Sequence, residues 1–417
     1  MEGTFFCEAV KSAATGMLIA AGGRESGMHI LVINSGSSSI KFSVFAAEGT
    51  EIPRSLLDGE LSGIGTPGAT LRLKPEAAQP MQASDLNRAV DDILTAVSQH
   101  LKVKIGAIGY RVVHPGAKLA GHQRITPEML ADLEGAVAFA PLHDPAVLQV
   151  IKAGMERYPG LPHFACFDTA FHRTMPEEAT TYAIPKEYRE QGVRRYGFHG
   201  LSCESVVWQL QQAGPVPPRL VIAHLGSGCS VTAVLDTVSV DTSMGLTPTG
   251  GVVMGTRPGD LDPGLVLYLL RQQTGEDPAS AVETMLNHEA GTVALSGMPN
   301  DMKAVRKAAS DGDQAAVLAL KVFTRSVRKA IGSYAWLLGG VDAIVLTGGI
   351  GEHDAMSRAE ILGGLEGLGV SLDAAANEAS AAGVRCVTRA EAEIAVWVVP
   401  AEEDLMIARH VVRLMGS

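Results

Sequence analysis

Residues 31–45 read LVINSGSSSIKFSVF: an apolar run breaks into Asn-Ser-Gly-Ser-Ser-Ser and resumes as a second apolar run that carries one lysine. Gly, Ser and Asn are ordinary turn residues, so two strands joined by a polar turn account for the stretch. The same residues also suit an anion. Small side chains let backbone N–H groups approach a phosphate, hydroxyls add donors, and Lys41 adds a charge. On these residues alone both readings stand, and the rest of the chain has to separate them.

The plan recurs. Residues 219–236, RLVIAHLGSGCSVTAVLD, form an apolar run ending at His224 where the first ends at Asn34, followed by Gly226-Ser227 in place of Gly36-Ser37 and by another apolar run. Two such openings predict a duplicated domain with a nucleotide between the halves. Around them, apolar residues at helical spacing over 86–101, 127–138 and 145–157 alternate with strand-like runs at 71–73, 105–116 and 163–172, the last delivering Asp168 to its end. Alternating strands and helices with strand–turn–strand openings predict an α/β fold built on mixed sheets. Residues 341–354, VDAIVLTGGIGEHD, read as a buried strand, then glycines, then a helix whose first N–H groups suit a phosphate. At 395–415 a strand leads into an amphipathic helix that starts with Glu402, Glu403 and Asp404. The helix dipole favours acids there, and capping is their plainest role.

At 417 residues the chain exceeds one ordinary core, so two domains are expected. A net charge of −11 argues against nucleic acid or an anionic membrane as partner, yet local arginines can still hold a small anion. The five cysteines are scattered with no C-x-x-C pair, which suits a reducing cytoplasm and offers no zinc site. No apolar run is long enough to span a membrane. Residues 1–27 imitate a signal peptide only weakly and read as a disordered extension.

Chance matches fall away on context. Residues 63–68, GIGTPG, fit G-x-G-x-x-G, but Pro67 and a strand-like LRLK stand where a helix is required. No G-x-x-x-x-G-K-[ST] and no H-R-D/D-F-G set occurs. What remains is a group of charged and imidazole residues at strand ends: Arg111, His114, His143, Asp168, His199, His224, Arg257 and Glu403. Arg111 and Arg257 lie among small or apolar residues, where an unpaired guanidinium is costly, and this points to an anionic ligand.

The ordered motifs VINSGSSSIKF, YRVVH, APLHDP, FDTAFH, RRYGFHG, HLGSG, VDTSMGLTPTGG, MGTRPGDLDP, TGGIGEH and EEDLMIAR resemble the acetate kinase family from residue 28 to the end. The resemblance implies duplicated actin-like (ribonuclease H-like) ATPase domains with mixed sheets and an interdomain cleft for ATP and a carboxylate. It places the first domain at 28–170, completed by the helix 403–417, and a second, nucleotide-binding domain at 171–402. It also implies a homodimer, Mg2+ (or Mn2+), and reversible phosphoryl transfer from ATP to acetate giving acetyl phosphate and ADP. A propionate or other short-chain carboxylate kinase is the alternative, and an actin-like or Hsp70-like nucleotide switch a more distant one.

Residue roles follow from the same resemblance. Asn34 and Glu403 match the metal positions, with Ser37, Ser39 and Lys41 in the phosphate loop. Arg111 and Arg257 match the arginines on the carboxylate and the transferring phosphoryl group, Asp168 the catalytic aspartate, and His199 the transition-state histidine. Val113, Leu142, Phe198 and Pro248 match the acyl pocket. The nucleotide positions are Lys41; His224, Leu225, Gly226, Ser227 and Gly228; Asp301, Met302 and Lys303; and Gly349, Ile350, Gly351, Glu352 and His353. Relatives commonly carry Asn where Ser227 and His353 stand, so the chain departs from the pattern on the nucleotide side.

Overall fold

The computed structural model describes residues 27–36, 38–47, 52–119, 121–136 and 144–416. The extension up to residue 26, Ser37, Leu142 and His143 therefore lie outside the described residues. Contacts divide the described chain into two compact units, residues 27–170 with 402–416, and Phe171–Ala401.

The first unit is built on an eight-stranded sheet. Its strands are β1 (Met28–Ser35), β2 (Ser39–Ala47), β3 (Arg54–Ser62), β4 (Thr70–Leu73), β5 (Gln79–Pro80), β6 (Ile105–Val112), β7 (Gln123–Arg124) and β8 (His163–Phe167), in the order β5-β4-β3-β2-β1-β6-β8-β7. The quoted opening is indeed a hairpin, with Asn34 opposite Lys41 and the Gly36 N–H donating to Ser39 O at 2.8 Å. β6 joins β1 in parallel and β8 joins β6 in parallel. The interior strand β8 is buried at every residue, as expected where helices cover both faces of a sheet.

Helices Leu86–Leu101 and Asp144–Arg157 share one apolar core with Leu31, Ile33, Ile108 and Tyr110. Gly109, between Ile108 and Tyr110, faces the other side, because successive strand residues alternate. There the helix Glu403–Met415 lies so close that a Cβ on Gly109 would stand 2.7 Å from Ile407 Cγ2 and 2.9 Å from Val411 Cγ2. A glycine is required at this crossing.

The second unit carries a six-stranded sheet of β9 (Arg219–Leu225), β10 (Cys229–Leu235), β11 (Val238–Thr242), β12 (Ala343–Thr347), β13 (Arg385–Cys386) and β14 (Ala395–Val398), ordered β11-β10-β9-β12-β14-β13. β11, β10 and β9 run antiparallel, while β12 and β14 continue from β9 in parallel. This repeats the β3-β2-β1-β6-β8 core of the first sheet strand for strand, the duplication expected from the two hairpins and the actin-like plan that the family resemblance implies. Helix Gly200–Ala213 contributes Cys203, Val206 and Leu210 to a core with Ile222, Val345 and Trp397. The long helix Gln314–Leu337 packs against β9 and β10.

Candidate active site

In the first unit, chemistry collects at the carboxyl ends of the parallel strands, where open α/β sheets bind ligands. Asn34 is the last residue but one of β1, Arg111 lies near the end of β6, and Asp168 follows β8 with its N–H on Val112 O at 2.9 Å. Glu403 opens the returning helix. Arg111 Nη2 donates to Asp168 Oδ2 at 2.7 Å and Nη1 to Asn34 Oδ1 at 3.3 Å. Its buried Nε makes no hydrogen bond, and Glu403 Oε2 stands 3.8 Å away, an ion-pair distance too long for one. Burial opposes the Arg111 charge, but the fields of Asp168 and Glu403 and the Asp168 hydrogen bond outweigh it and raise its pKa. The guanidinium is thus permanently cationic and keeps one buried donor unspent.

Capping is the plainest role of the acids at the start of the last helix, while the resemblance gives Glu403 to the metal. Glu402 does occupy the cap position but makes no side-chain cap bond, while Asp404 accepts from Ser43 Oγ at 2.6 Å across the sheet. Burial pushes the Asp404 carboxyl up to about 6 against the lowering effect of that hydrogen bond. Nothing in the local sequence marks Ser43 as its partner, since 361 positions separate the two. The oxygens of Asn34, Asp168 and Glu403 form a hard donor set suited to Mg2+, Mn2+ or Ca2+ rather than to a thiophilic metal. The residues present fit a divalent cation.

The second unit gathers a different set. His199 sits at φ 59° before helix Gly200–Ala213, a left-handed conformation that non-glycine residues adopt only when their surroundings enforce it. Those surroundings are visible: Tyr196 N and Gly197 N donate to Gly245 O, and Arg195 Nη1 donates to the carbonyls of Thr242, Ser243 and Met244. His199 Nδ1 pairs with Ser230 Oγ at 2.9 Å, and its ring stacks on His224 at 4.1 Å, which in turn pairs with Ser202 Oγ at 2.8 Å. A Cβ on Gly228 would meet His199 Nε2 at 3.3 Å and Arg257 Nη1 at 3.5 Å, so the second glycine turn, His199 and Arg257 converge. Arg257 Nη1 donates to Pro248 O at 3.0 Å.

Beside this turn lies a cavity of ≈ 510 Å³. Gly226, Ser227, Asp301, Lys303, Gly349 and His353 line it, together with the side chains of Met254, Met302, Ile350 and Met356. Gly226 closes its own turn by donating to Gly228 O at 3.0 Å, and Asn300 Nδ2 donates to Ser227 Oγ at 3.1 Å. Cys229, at the base of the turn, is buried and its thiol is pushed up to about 12, so it stays protonated and inert.

The acetokinase family model matches residues 29–409. The chain belongs to the acetokinase family. An acetate kinase of Rhodopseudomonas palustris is 41% identical over 397 residues, 92% of this chain and 98% of that relative. One from Micrococcus luteus is 42% identical over 394 residues, again covering 92% and 98%. Among solved structures, the Porphyromonas gingivalis acetate kinase superposes with TM-score 0.83 at 33% identity, covering 93% of this chain and 100% of that one. A Francisella tularensis propionate kinase superposes with TM-score 0.84 at 36% identity, covering 92% and 98%.

Within the first unit, the structure brings together four predicted positions, Asn34, Arg111, Asp168 and Glu403. Ser39 and Lys41 lie on β2 after the hairpin turn, and Val113 is buried just beyond β6. In the second unit His199, His224, Gly228 and Arg257 meet, and nine of the predicted nucleotide positions, Gly226, Ser227, Asp301, Met302, Lys303, Gly349, Ile350, His353 and the adjoining Gly228 turn, border or adjoin one cavity. Leu225 is buried in β9, Gly351 is buried, and Glu352 accepts from Ala401 N at 3.1 Å, so these three support the loops from behind. Phe198 is buried and gives its carbonyl to His172 Nε2 at 2.9 Å. Sequence reasoning missed Asn300, Arg306 and Asp354, whose nearest signal was only their closeness to Asp301 and to the glycine loop.

Proposed function

We propose that the protein is an acetate kinase, transferring a phosphoryl group reversibly between ATP and acetate with Mg2+ (or Mn2+) present. The observation that carries the carboxylate-acceptor reading is Arg111, a buried guanidinium with an unspent Nε donor beside Asp168 and Glu403. A nucleotide switch has no use for such a group, whereas an anionic acceptor satisfies it.

Phosphoryl transfer asks mainly for in-line alignment and stabilisation of the equatorial oxygens. A carboxylate acceptor is ionised at neutral pH, so no general base is needed. Asp168, at 2.7 Å, orients Arg111 rather than removing a proton. Arg111 grips the carboxylate and the transferring group, and Arg257 and His199 offer further donors to the developing charge. The His199 Nδ1 contact with Ser230 fixes which way the ring points. Asn34, Glu403 and Asp168 would hold the divalent cation, which when bound neutralises phosphate charge. The cavity lined by Ser227, Asp301, Lys303 and Gly349 takes the nucleotide, with backbone N–H groups of the two glycine turns on its phosphates.

Val113, Phe198 and Pro248 are assigned to the acyl group. Their bulk favours a methyl, but a pocket of this kind discriminates one methylene by only ~1–3 kcal/mol, so propionate is expected as a poorer acceptor. We place the protein in the cytoplasm as a homodimer. Every residue of the apolar helix Pro263–Gln272 escapes burial within the chain, and Leu267 and Tyr268 are 52% and 55% exposed. Light scattering after gel filtration tests the dimer. Among the described residues no helix is long and apolar enough to cross a membrane.

The deciding experiment traps acyl phosphate with hydroxylamine, using acetate, propionate and butyrate against ATP and pyrophosphate. Acetate with ATP should give the largest yield, and EDTA should abolish it. ATP hydrolysis without any acyl phosphate would leave the nucleotide switch in its place.

A further inference from the structure

The nucleotide cavity has two walls that do not belong to one element. One is the start of helix Met302–Ser310 with its cap Asp301; the other is helix Gly348–His353 and the first turn of helix Ala355–Leu362. The helices Met302–Ser310 and Ala355–Leu362 each rest on the long helix Gln314–Leu337. Arg306 crosses the gap. Its Nε donates to Asp354 Oδ2 at 3.0 Å, Nη1 and Nη2 form a fork on Glu360 at 2.6 and 2.9 Å, and Nη2 also donates to Ser357 Oγ at 2.7 Å.

We infer that Arg306 is a positioning residue for the nucleotide, setting the width of the cavity by tying one wall to the other. The inference rests on the nucleotide reading of this cavity. Asp354 is itself the cap of its helix, accepting from Met356 N and Ser357 N, each at 3.1 Å, so Arg306 pulls on a helix end rather than on a loose side chain. At the other end of the same helix Arg328 donates to the carbonyls of Glu360, Ile361 and Gly363. The second wall is thereby anchored on the core helix at its last turn and on the first wall along its length, from the cap Asp354 through Ser357 to Glu360. Burial opposes the Arg306 charge, and hydrogen bonding to Glu360 and the fields of Asp354 and Glu360 overcome it. A planar fork that meets two acids and a hydroxyl fixes distance and direction together, which a lysine ammonium does not.

Two accounts of Arg306 predict opposite signs at Glu360. If Arg306 merely attracts an anionic ligand, neutralising Glu360 strengthens nucleotide binding. If Arg306 holds the walls in register, losing the Glu360 half of the fork weakens it. The test is ADP titration by calorimetry on full-length protein, with steady-state kinetics for ATP and acetate, on Arg306→Met and Glu360→Gln, each checked for folding by circular dichroism. Arg306→Met should raise the ADP Kd and the ATP KM by about ten-fold, and Glu360→Gln by a smaller factor in the same direction. The acetate KM should move less than two-fold in both, a split that general loosening of the fold would not produce. Folded variants that bind ADP as the unmodified protein does, tighter binding by Glu360→Gln, or equal rises in both KM values would each overturn the inference. Failure of the unmodified protein to bind ADP would instead overturn the nucleotide reading beneath it.

Discussion

The two units share one strand order and close their first hairpins on the same kind of small-residue turn, but their strand ends carry different chemistry. In the first unit the ends of β1, β6 and β8 present Asn34, Arg111 and Asp168, and the chain returns to add Glu403. In the second, the corresponding ends of β9 and β12 present His224 and the Thr347-Gly348-Gly349 turn, beside a cavity lined with glycines and methionines. The same backbone supports a buried ion-paired cluster around Arg111 in one copy and, in the other, His199 and Arg257 beside an open slot whose lining includes Asp301 and Lys303. Fold and chemistry are separable, because the sheet fixes where strand ends lie and only the side chains there decide what they bind.

The sharpest way to break the comparison is to remove its charge. Replacing Arg111 or Arg257 by alanine should lower kcat by ~10²–10³-fold, since contacts made to charge developing in the transition state are lost from kcat. Lysine should restore part of the loss, keeping charge without the fork, and Arg111→Ala should also raise the acetate KM. Steady-state kinetics on folded variants measures both.

The next effect is on stability and is confined to the first unit. Gly109→Ala places a methyl 2.7 Å from Ile407 Cγ2 and 2.9 Å from Val411 Cγ2, and such overpacking costs about 1–3 kcal/mol. A thermal melt should show a lower Tm, and the divalent-cation concentration needed for activity should rise as the helix bearing Glu403 is displaced.

At the cavity of the second unit, away from Arg257 and His199, substitutions should move binding rather than turnover. Ser227→Asn, at the exposed turn that Asn300 Nδ2 contacts, should change the ATP KM more than kcat, because backbone groups carry most phosphate contacts in such turns. An equal effect on kcat would place this turn in the chemistry.

The smallest effect concerns pH. His163 is held by Tyr110 Oη at 2.9 Å and by Tyr158 O at 3.1 Å, and burial lowers its pKa from the ordinary 6.5. The folded chain therefore keeps it neutral where the unfolded chain has begun to protonate it. Its contribution to stability is complete above pH 6.5 and is lost as pH falls from there through the lower folded value. His163→Gln should flatten the fall of Tm over that range.

Much of this was legible in the sequence for physical reasons. The hairpins showed because apolar runs broken by Gly and Ser have few other folds, and helix Leu86–Leu101 because its apolar spacing is regular. Arg111 showed because a guanidinium among apolar residues demands a counter-ion. Its partner Asp168, 57 positions away, could not be read from spacing, since β6 and β8 become neighbours only when the sheet forms. The Ser43–Asp404 pair and the Arg306 bridge were invisible for the same reason. Each joins elements that propensity and periodicity treat separately.

The division of labour itself has one direct test: ADP titration of folded Arg111→Ala beside its turnover number. The account predicts an ADP Kd within about two-fold of the unmodified protein, the scale of a change remote from the binding groups, together with a kcat lower by ~10²-fold or more. Near-normal kcat, or ADP affinity lost in step with activity, would contradict it.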